Sequence, residues 1–351
     1  MARVVVLILH PRLEPASGPL TRVLSAIRDG NARRHAAAFE RIGASVVVSD
    51  EASAGSFGER LRRVVARLAP AGIVVLGSGS VPLATDADRR AFVAVAGGPA
   101  GRALANNRFS ADIVAIAGVE RLADLPDLAS DNGLPRWLAE RAGFEVDDLA
   151  GRWRLQVDLD SPLDGLLIRR ADAEASLSRA GIATHAVRSA LAGVATAARD
   201  RRCELIVAGR ASAAGLLWLE RSTASRTRAL IEERGFRTRT GDQRPVRSVL
   251  GLILDRDGPG ALGPRLAELG DAAVIDSRVL LAHQFGADEE RWPAPEDRFA
   301  SDLLLAERIA DPWLRSLTAS ARDAAIPVVL GGHSVVGPGL RLALAKGATW
   351  T

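Results

Sequence analysis

Short apolar runs rich in Val, Ile and Leu alternate with amphipathic stretches along the whole 351-residue chain. Apolar runs of this length, bounded by Gly, Pro, Asp or Ser, read as strands buried on both faces, and their alternation with helical patterns implies parallel sheets covered by helices. In the first half the pattern predicts strands over residues 4–9, 44–49, 72–77, 112–117 and 155–160. Leu61, Val64, Val65 and Leu68 fall at i, i+3, i+4 and i+7, with Arg62, Arg63 and Arg67 opposite, so a helix is predicted over 57–68. Ser56 and Glu59 give it a capping-box start, each side chain placed to satisfy an N–H of the first turn. Another helix is predicted over 134–142, opened by Ser130-Asp-Asn-Gly.

The second half restarts the alternation. Strands are predicted over 204–208, 249–254, 272–275 and 326–330, separated by helices near 187–199, 213–221, 263–269 and 303–318. A polar, Pro-bearing loop covers 288–297. A chain of this length exceeds one ordinary core of roughly 100–200 residues. With a boundary near 166–171, the sequence therefore predicts two α/β domains, 1–168 and 169–351. Each is expected to be a mostly parallel sheet between helical layers (three-layer α/β/α).

Composition narrows the functional classes. Hydrophobic residues at 48% and charged residues at 25% are those of a globular protein. No apolar run approaches the roughly 18–20 residues that span a bilayer, and the first residues read as a strand rather than a signal peptide, so a cytoplasmic location is expected. A lone Cys203 excludes an intrachain disulfide or a cysteine metal cluster. The isoelectric point near 10.5 reflects a net charge of only +4 in a chain with no Tyr, one Lys and one Cys, because little titrates between neutrality and pH 10. Acids and Arg are interspersed and aromatics are 4%, which argues against nucleic acid as a partner.

Candidate chemistry gathers at loops. Ser78, Gly79 and Ser80 follow the strand at 72–77 and read either as a small-residue loop admitting a nucleotide to main-chain N–H groups or as a plain turn. Asn106, Asn107, Arg108 and Asp112 cluster ahead of the strand at 112–117 and read either as a ligand grip, since two amides beside Arg suit phosphate or sugar hydroxyls, or as a solvated turn. Asp158 and Asp160 alternate on a predicted strand, so their carboxylates could converge on one ion; alternatively Asp160-Ser-Pro caps the next helix.

Three of these stretches, in this order, resemble the nucleotide-diphospho-sugar transferase (GT-A type) fold, and within it small nucleotidyltransferases of the molybdenum-cofactor guanylyltransferase and 2-phospholactate guanylyltransferase type. They are Gly58-Glu-Arg-Leu61 leading into Ile73-Val-Val-Leu-Gly-Ser-Gly-Ser-Val-Pro-Leu-Ala-Thr85, the cluster from Asn106 to Asp112, and Asp158-Leu-Asp160-Ser-Pro-Leu-Asp164. The resemblance covers residues 1–165. It implies a nucleotide or other phosphorylated small-molecule ligand, Mg²⁺ held by Asp158 and Asp160, the ligand lined by Ser78–Ser80, and phosphate met by Arg12. Two departures bear on activity. The loop after the first strand, His10-Pro-Arg-Leu-Glu-Pro-Ala-Ser-Gly18, lacks the family's glycine-rich run and Lys, and Ser78–Ser80 stand where the family carries a metal-binding Asp. A catalytically degenerate scaffold that binds a ligand or partner is therefore the alternative.

In the second half, Arg210 and Ser212 end a strand–turn–helix pattern suited to an anion or to an ordinary cap. Asp255, Asp276 and His333 each follow a predicted strand, with Arg278, His283, Asp297 and Arg298 in nearby loops. Carboxylates and imidazole at one sheet edge could bind a metal or act as acid and base, while Asp after a strand is also an ordinary turn former. Gly332-His-Ser-Val-Val-Gly337 fails as a hydrolase elbow, because Val336 stands where Gly is needed and no His follows His333. The chain carries neither the P-loop nor the G-x-G-x-x-G pattern after a strand.

Overall fold

The computed structural model describes residues 4–49, 55–234, 244–345 and 350. The chain divides into two compact α/β units: Met1–Ala16 with Ser25–Leu159, and Ser17–Leu24 with Asp160–Thr351. The division after Leu159 lies a few residues before the stretch 166–171 suggested by the sequence.

The first unit contains β1 (Val4–Leu9), α1 (Pro19–Arg41, its first turn counted with the second unit), β2 (Ser45–Ser49), α2 (Phe57–Leu68), β3 (Gly72–Gly77), α3 (Asp86–Ala96), β4 (Arg102–Ala105), β5 (Ile113–Ala117), α4 (Leu134–Glu140) and β6 (Glu145–Asp148). Its six-stranded sheet has the order β2-β1-β3-β5-β4-β6, with β5 antiparallel to both neighbours and the other pairings parallel. Successive residues of each strand serve opposite cores. Leu7, Ile73, Val75, Val114 and Ile116 pack with Phe57, Leu61 and Val64 of α2 and with Leu134 and Leu138 of α4. Val6, Ile8, Val74, Leu76 and Ala115 pack with Ala32 and Phe39 of α1 and with Phe92 and Ala96 of α3. The approach of α3 is so close that a Cβ on Gly72 would lie 1.8 Å from the Ala96 carbonyl oxygen. The Ser56–Glu59 capping box forms as the sequence implies.

Two features of this unit differ from expectation. Residues 155–160 are not a strand: Trp153–Gln156 form a 3-10 turn, and the only ladder contact is an isolated antiparallel bridge between Asp158 and Ser80. Buried Leu155, Val157 and Leu159 imitate strand alternation, but Ser161 and Pro162 open a helix before a ladder develops. The short β4 and β6 were not legible. Acidic β6, Glu-Val-Asp-Asp, is held by parallel pairing to β4 and by Arg102, which reaches Glu145 and Asp147 at 2.7 Å each.

The second unit contains α5 (Pro162–Leu167), α6 (Ala171–Arg179), α7 (His185–Ala197), β7 (Glu204–Gly209), α8 (Ala213–Ser222), β8 (Arg226–Ile231), α9 (Val249–Asp257), α10 (Leu262–Leu269), β9 (Ala272–Asp276), α11 (Ser277–Phe285), α12 (Pro295–Asp302), α13 (Pro312–Arg322), β10 (Val328–Gly331), α14 (His333–Val336) and α15 (Gly339–Ala343). Its sheet, β10-β9-β7-β8, is parallel throughout. The segment at 249–254 is helix, not strand. Ser248 caps it, and Leu250 and Leu254, one turn apart, are buried while Val249 and Leu252 are exposed. A continuous apolar run conceals which period its burial follows. The helix expected over 303–318 begins instead at Pro312, where the Asp311 side chain accepts from Leu314 N–H at 2.7 Å. Among the described residues no helix is long and apolar enough to cross a membrane.

Candidate functional site

In the first unit, β1 leads to β2 on one side and β2 leads to β3 on the other, so the strand order reverses between β1 and β3. Ligands of open α/β sheets bind outside the carboxyl ends of the strands at such a switch point. His10 and Ser78 stand there, immediately after β1 and β3. The Ser78 amide donates to the Leu9 carbonyl (2.8 Å) and the His10 amide to that of Ser49 (2.9 Å), which fixes the strand ends side by side. The His10 Nδ1 and the Ser78 Oγ are both buried without a hydrogen-bond partner. Buried polar atoms are satisfied in the great majority of cases, so two orphans at one sheet edge call for an explanation.

The Ser78–Ser80 loop is held from below by α1. Asn31 Nδ2 donates to the carbonyls of Ser78 (2.9 Å) and Ser80 (3.1 Å), and His35 Nε2 lies 3.0 Å from the Ser80 carbonyl. Asn31 and His35 are one helical turn apart and almost fully buried. From the other side, Leu159 N–H donates to the Gly79 carbonyl at 3.0 Å, and Arg28 Nε donates to the Leu159 carbonyl at 2.7 Å. A Cβ at position 79 would stand 3.0 Å from Arg28 Nε and 3.2 Å from Asp158 Oδ1, so only glycine fits without displacement. The loops near residues 79 and 159, distant in sequence, thus lie against each other. Neither Asn31 nor His35 was singled out from the sequence; their one legible signal was a polar pair at i, i+4 in an Ala-rich helix.

The cluster from Asn106 to Asp112 has structural duties. Asn106 is fully buried, accepting from the amides of Asp112 (2.9 Å) and Ile113 (3.3 Å) and donating to the Asp112 carboxylate (2.7 Å) and the Leu155 carbonyl (2.8 Å). Asn107 accepts from Phe109 N–H (3.0 Å), while Arg108 pairs with Asp148 (3.2 Å) and reaches the Val146 carbonyl. The expected ligand grip at Asn106, Asn107, Arg108 and Asp112 is therefore the clasp of the β4–β5 turn. Arg12 is exposed in the loop after β1.

The Mg²⁺ expectation fits poorly. Asp158 Oδ1 accepts from the next amide, Leu159 N–H, at 2.9 Å. Asp160 opens the second unit, its N–H donating to Asp164 Oδ2 at 3.0 Å, and it is Ser161, not Asp160, that forms the capping box of α5 with Asp164. Without a strand over 155–160, the argument that the two carboxylates face one way loses its basis. Among the described residues, no group of three or more His, Cys, Asp or Glu is arranged to hold a metal ion, so a Mg²⁺ ion here would depend on one or two carboxylates completed by ligand phosphates and water.

The amides at the start of α1 also differ from those of a phosphate-binding helix. Within the second unit, the Glu296 carboxylate accepts from Leu20 N–H (2.8 Å), Thr21 N–H (3.0 Å) and Thr21 Oγ1 (3.0 Å). A carboxylate of the protein itself thus satisfies donors that would otherwise favour an anion.

The second unit brings Asp276 and His333 to the carboxyl edge of its sheet, but not Asp255. Asp276 ends β9 and is gripped by Arg210, which follows β7, through Nε (2.6 Å) and Nη2 (3.0 Å). Burial pushes the Asp276 carboxyl up, yet Arg210, His333 and Arg278 outweigh it and hold it below the ordinary carboxylate value. Beside it, Arg278 forms a buried bidentate pair with Asp302, and Ser277 Oγ ties β9 to β10 through the Gly331 carbonyl at 3.1 Å. Arg278 is buried but is held above its ordinary pKa by Asp302. Burial together with the charges of Asp160 and Asp302 pushes Asp164 up to about 7, against hydrogen bonds from Ser334 and Ser161. Asp255 lies on helix α9, where it meets His283 Nε2 at 2.9 Å; His283 Nδ1 accepts from Ser248 N–H at 3.1 Å. The imidazole sits where a side chain on Gly251 would be, so this pair clamps α9 to α11 and is not a strand-end site. Asp297 closes a turn through the amides of Ala310 and Asp311, and Arg298 pairs with Glu289 at 3.1 Å. Compared with known proteins, the chain matches no family model and no curated sequence.

Proposed function

We propose that the first unit binds a phosphorylated small molecule, a nucleotide first among candidates, at the carboxyl edge of β1 and β3, on a transferase-like scaffold without a dedicated metal site. The reading rests chiefly on the buried, unpartnered His10 Nδ1 and Ser78 Oγ flanking the switch point. A phosphate or sugar oxygen is a hydrogen-bonding complement to both, since imidazole and hydroxyl each can donate or accept. Arg12 stands in the adjoining loop to meet negative charge, and the internal hydrogen bonds that fix the Ser78–Ser80 loop hold the Ser78 hydroxyl in place before a ligand arrives.

Binding without transfer is favoured over Mg²⁺-assisted transfer by the engagement of Asp158 and by the separate capping role of the Asp160–Asp164 segment. Calorimetry on the full chain with GTP, CTP, ATP and nucleotide sugars, with and without Mg²⁺, tests both readings. The expected result is binding that weakens in Ser78→Val and Arg12→Ala and is indifferent to Mg²⁺ and to Asp158→Ala. Binding that requires Mg²⁺ and Asp158 would favour transfer, and no binding of any of these ligands would remove the proposal.

A further inference from the structure

Among the described residues, strand β8 is the terminal strand of the second sheet, pairs only with β7, and exposes five of its six residues. Its open edge is unusual for a natural sheet, where terminal strands are kept short, bulged, broken by Pro or guarded by charge. Its sequence, Arg-Thr-Arg-Ala-Leu-Ile, contains no Pro, and the ladder to β7 runs without interruption from Arg226 to Ile231. One of the two guarding charges is turned inward: Arg228 pairs with Glu204 on β7 (2.9 Å) and donates to the Leu269 carbonyl (3.1 Å). Large apolar side chains lie exposed around the end of the strand, with Ile231 46%, Val249 51% and Leu252 55% accessible. Glu232, the next residue, accepts from Val249 N–H through its carboxylate, which ties the start of α9 to the end of β8, and Leu252 shares a helix face with Val249.

The hydrogen-bond parity of the ladder decides which occupant fits. Arg226 N–H donates to Cys203 and Glu232 N–H to Gly209, so the even-numbered residues bond inward to β7. The N–H and C=O groups of Thr227, Ala229 and Ile231 consequently point outward. Two copies of β8 related by a two-fold axis can pair antiparallel only if outward-pointing residues meet outward-pointing residues. Centring the pair on Arg228 would oppose the two Arg228 side chains. Centring it on Ala229 sets Thr227 against Ile231, Arg228 against Leu230 and Arg226 against Glu232, using the full strand. Glu232 is already held at the edge by Ser248 Oγ (2.7 Å) and Val249 N–H (2.6 Å), so its charge is in position before the partner arrives.

We propose that β8 is a homodimerisation edge, pairing antiparallel with β8 of a second copy about a two-fold axis at Ala229 and joining two four-stranded sheets into one continuous sheet. The interface is isologous, as closed dimers require. Opposite charges recur twice across it by symmetry, and the Ile231, Val249 and Leu252 side chains flank it on both sides.

Sedimentation equilibrium on the full chain is expected to give twice the 37.0 kDa chain mass. Arg226→Glu, which places like charges opposite at two symmetric positions, is expected to weaken the dimer about tenfold. The register is tested by cross-linking in a Cys203→Ser background. Ala229→Cys is expected to form an intermolecular disulfide, since facing Cα atoms stand about 5.5 Å apart in a hydrogen-bonded pair. Thr227→Cys is not, because its two copies are offset by four residues, about 13 Å. A chain that remains monomeric to about 100 µM, or a dimer unaffected by Arg226→Glu, overturns the proposal. Equal cross-linking at both positions does the same. If Arg226→Glu fails to fold, the cysteine pair decides alone.

Discussion

Replacing Asn31 by Ala tests whether α1 is what fixes the Ser78–Ser80 loop. The wild-type amide donates to two buried carbonyls, at 2.9 and 3.1 Å. Each such bond contributes about 1 kcal/mol net, and a carbonyl left without a donor costs a further 1–3 kcal/mol or so. The Ser80 carbonyl retains His35, whereas that of Ser78 loses its Asn31 donor. The substitution is therefore expected to destabilise the first unit by about 3–5 kcal/mol. Asn31→Asp is expected to be worse at neutral pH, since it sets a carboxylate against two carbonyl oxygens. Because a chain of two units need not unfold in one step, hydrogen exchange is the better assay. The amides of Ser80 and Leu159, bonded to Gly77 and Gly79, report directly on the loop and are expected to lose protection. Unchanged exchange at both amides in Asn31→Ala would refute the clamp.

Other consequences are equally direct. Asp164, raised to about 7 by burial in the folded chain and near 3.9 when unfolded, contributes stability that is full below about pH 4 and lost as the pH rises towards 7, about 4 kcal/mol in all. Urea titrations from pH 4.5 to 7.5 should show wild type losing stability over that window relative to Asp164→Asn; parallel curves would contradict the shift. Asp302→Ala strands the buried Arg278 guanidinium and is expected to cost about 3–5 kcal/mol, much of it recovered in Arg278→Met/Asp302→Leu, as thermal melts of the single and double variants would show. Gly72→Ala, whose Cβ would meet Ala96 O at 1.8 Å, is expected to cost about 3 kcal/mol or more, whereas Gly43→Ala, with open space around it, should cost only the roughly 1 kcal/mol of its positive φ.

The sequence is most informative where one physical signal acts alone. Val4–Leu9 and Gly72–Gly77 are legible to the residue because both faces of these strands are buried, so a plain β-branched run suffices. Phe57–Leu68 is legible because its cap and its apolar face agree. Legibility fails where main-chain pairing carries an element that its side chains do not advertise. Acidic β6 and exposed β8 are strands only because β4 and β7 supply the ladder. It fails in the opposite sense at Val249–Asp257, where the solvent face carries apolar Val249 and Leu252, so the run is continuous and its helical period is hidden.

The same distinction separates the candidate residues. A polar side chain near a strand end looks alike in sequence whether it serves the protein or a ligand, and hydrogen-bond accounting is what divides the two. Asn106 has its donors and acceptors engaged inside the β4–β5 turn, and Asp276 is gripped by Arg210, so each is explained by the fold it stabilises. His10 and Ser78 differ: each leaves a buried polar atom unmatched, where the strand order reverses between β1 and β3. An unmatched buried atom costs free energy in the isolated chain, about 1–3 kcal/mol, and packing alone would favour Val at position 78. Ser78→Val should therefore leave the stability of the first unit unchanged or raise it while weakening ligand binding. A loss of stability in that variant would mean that the hydroxyl serves the fold after all.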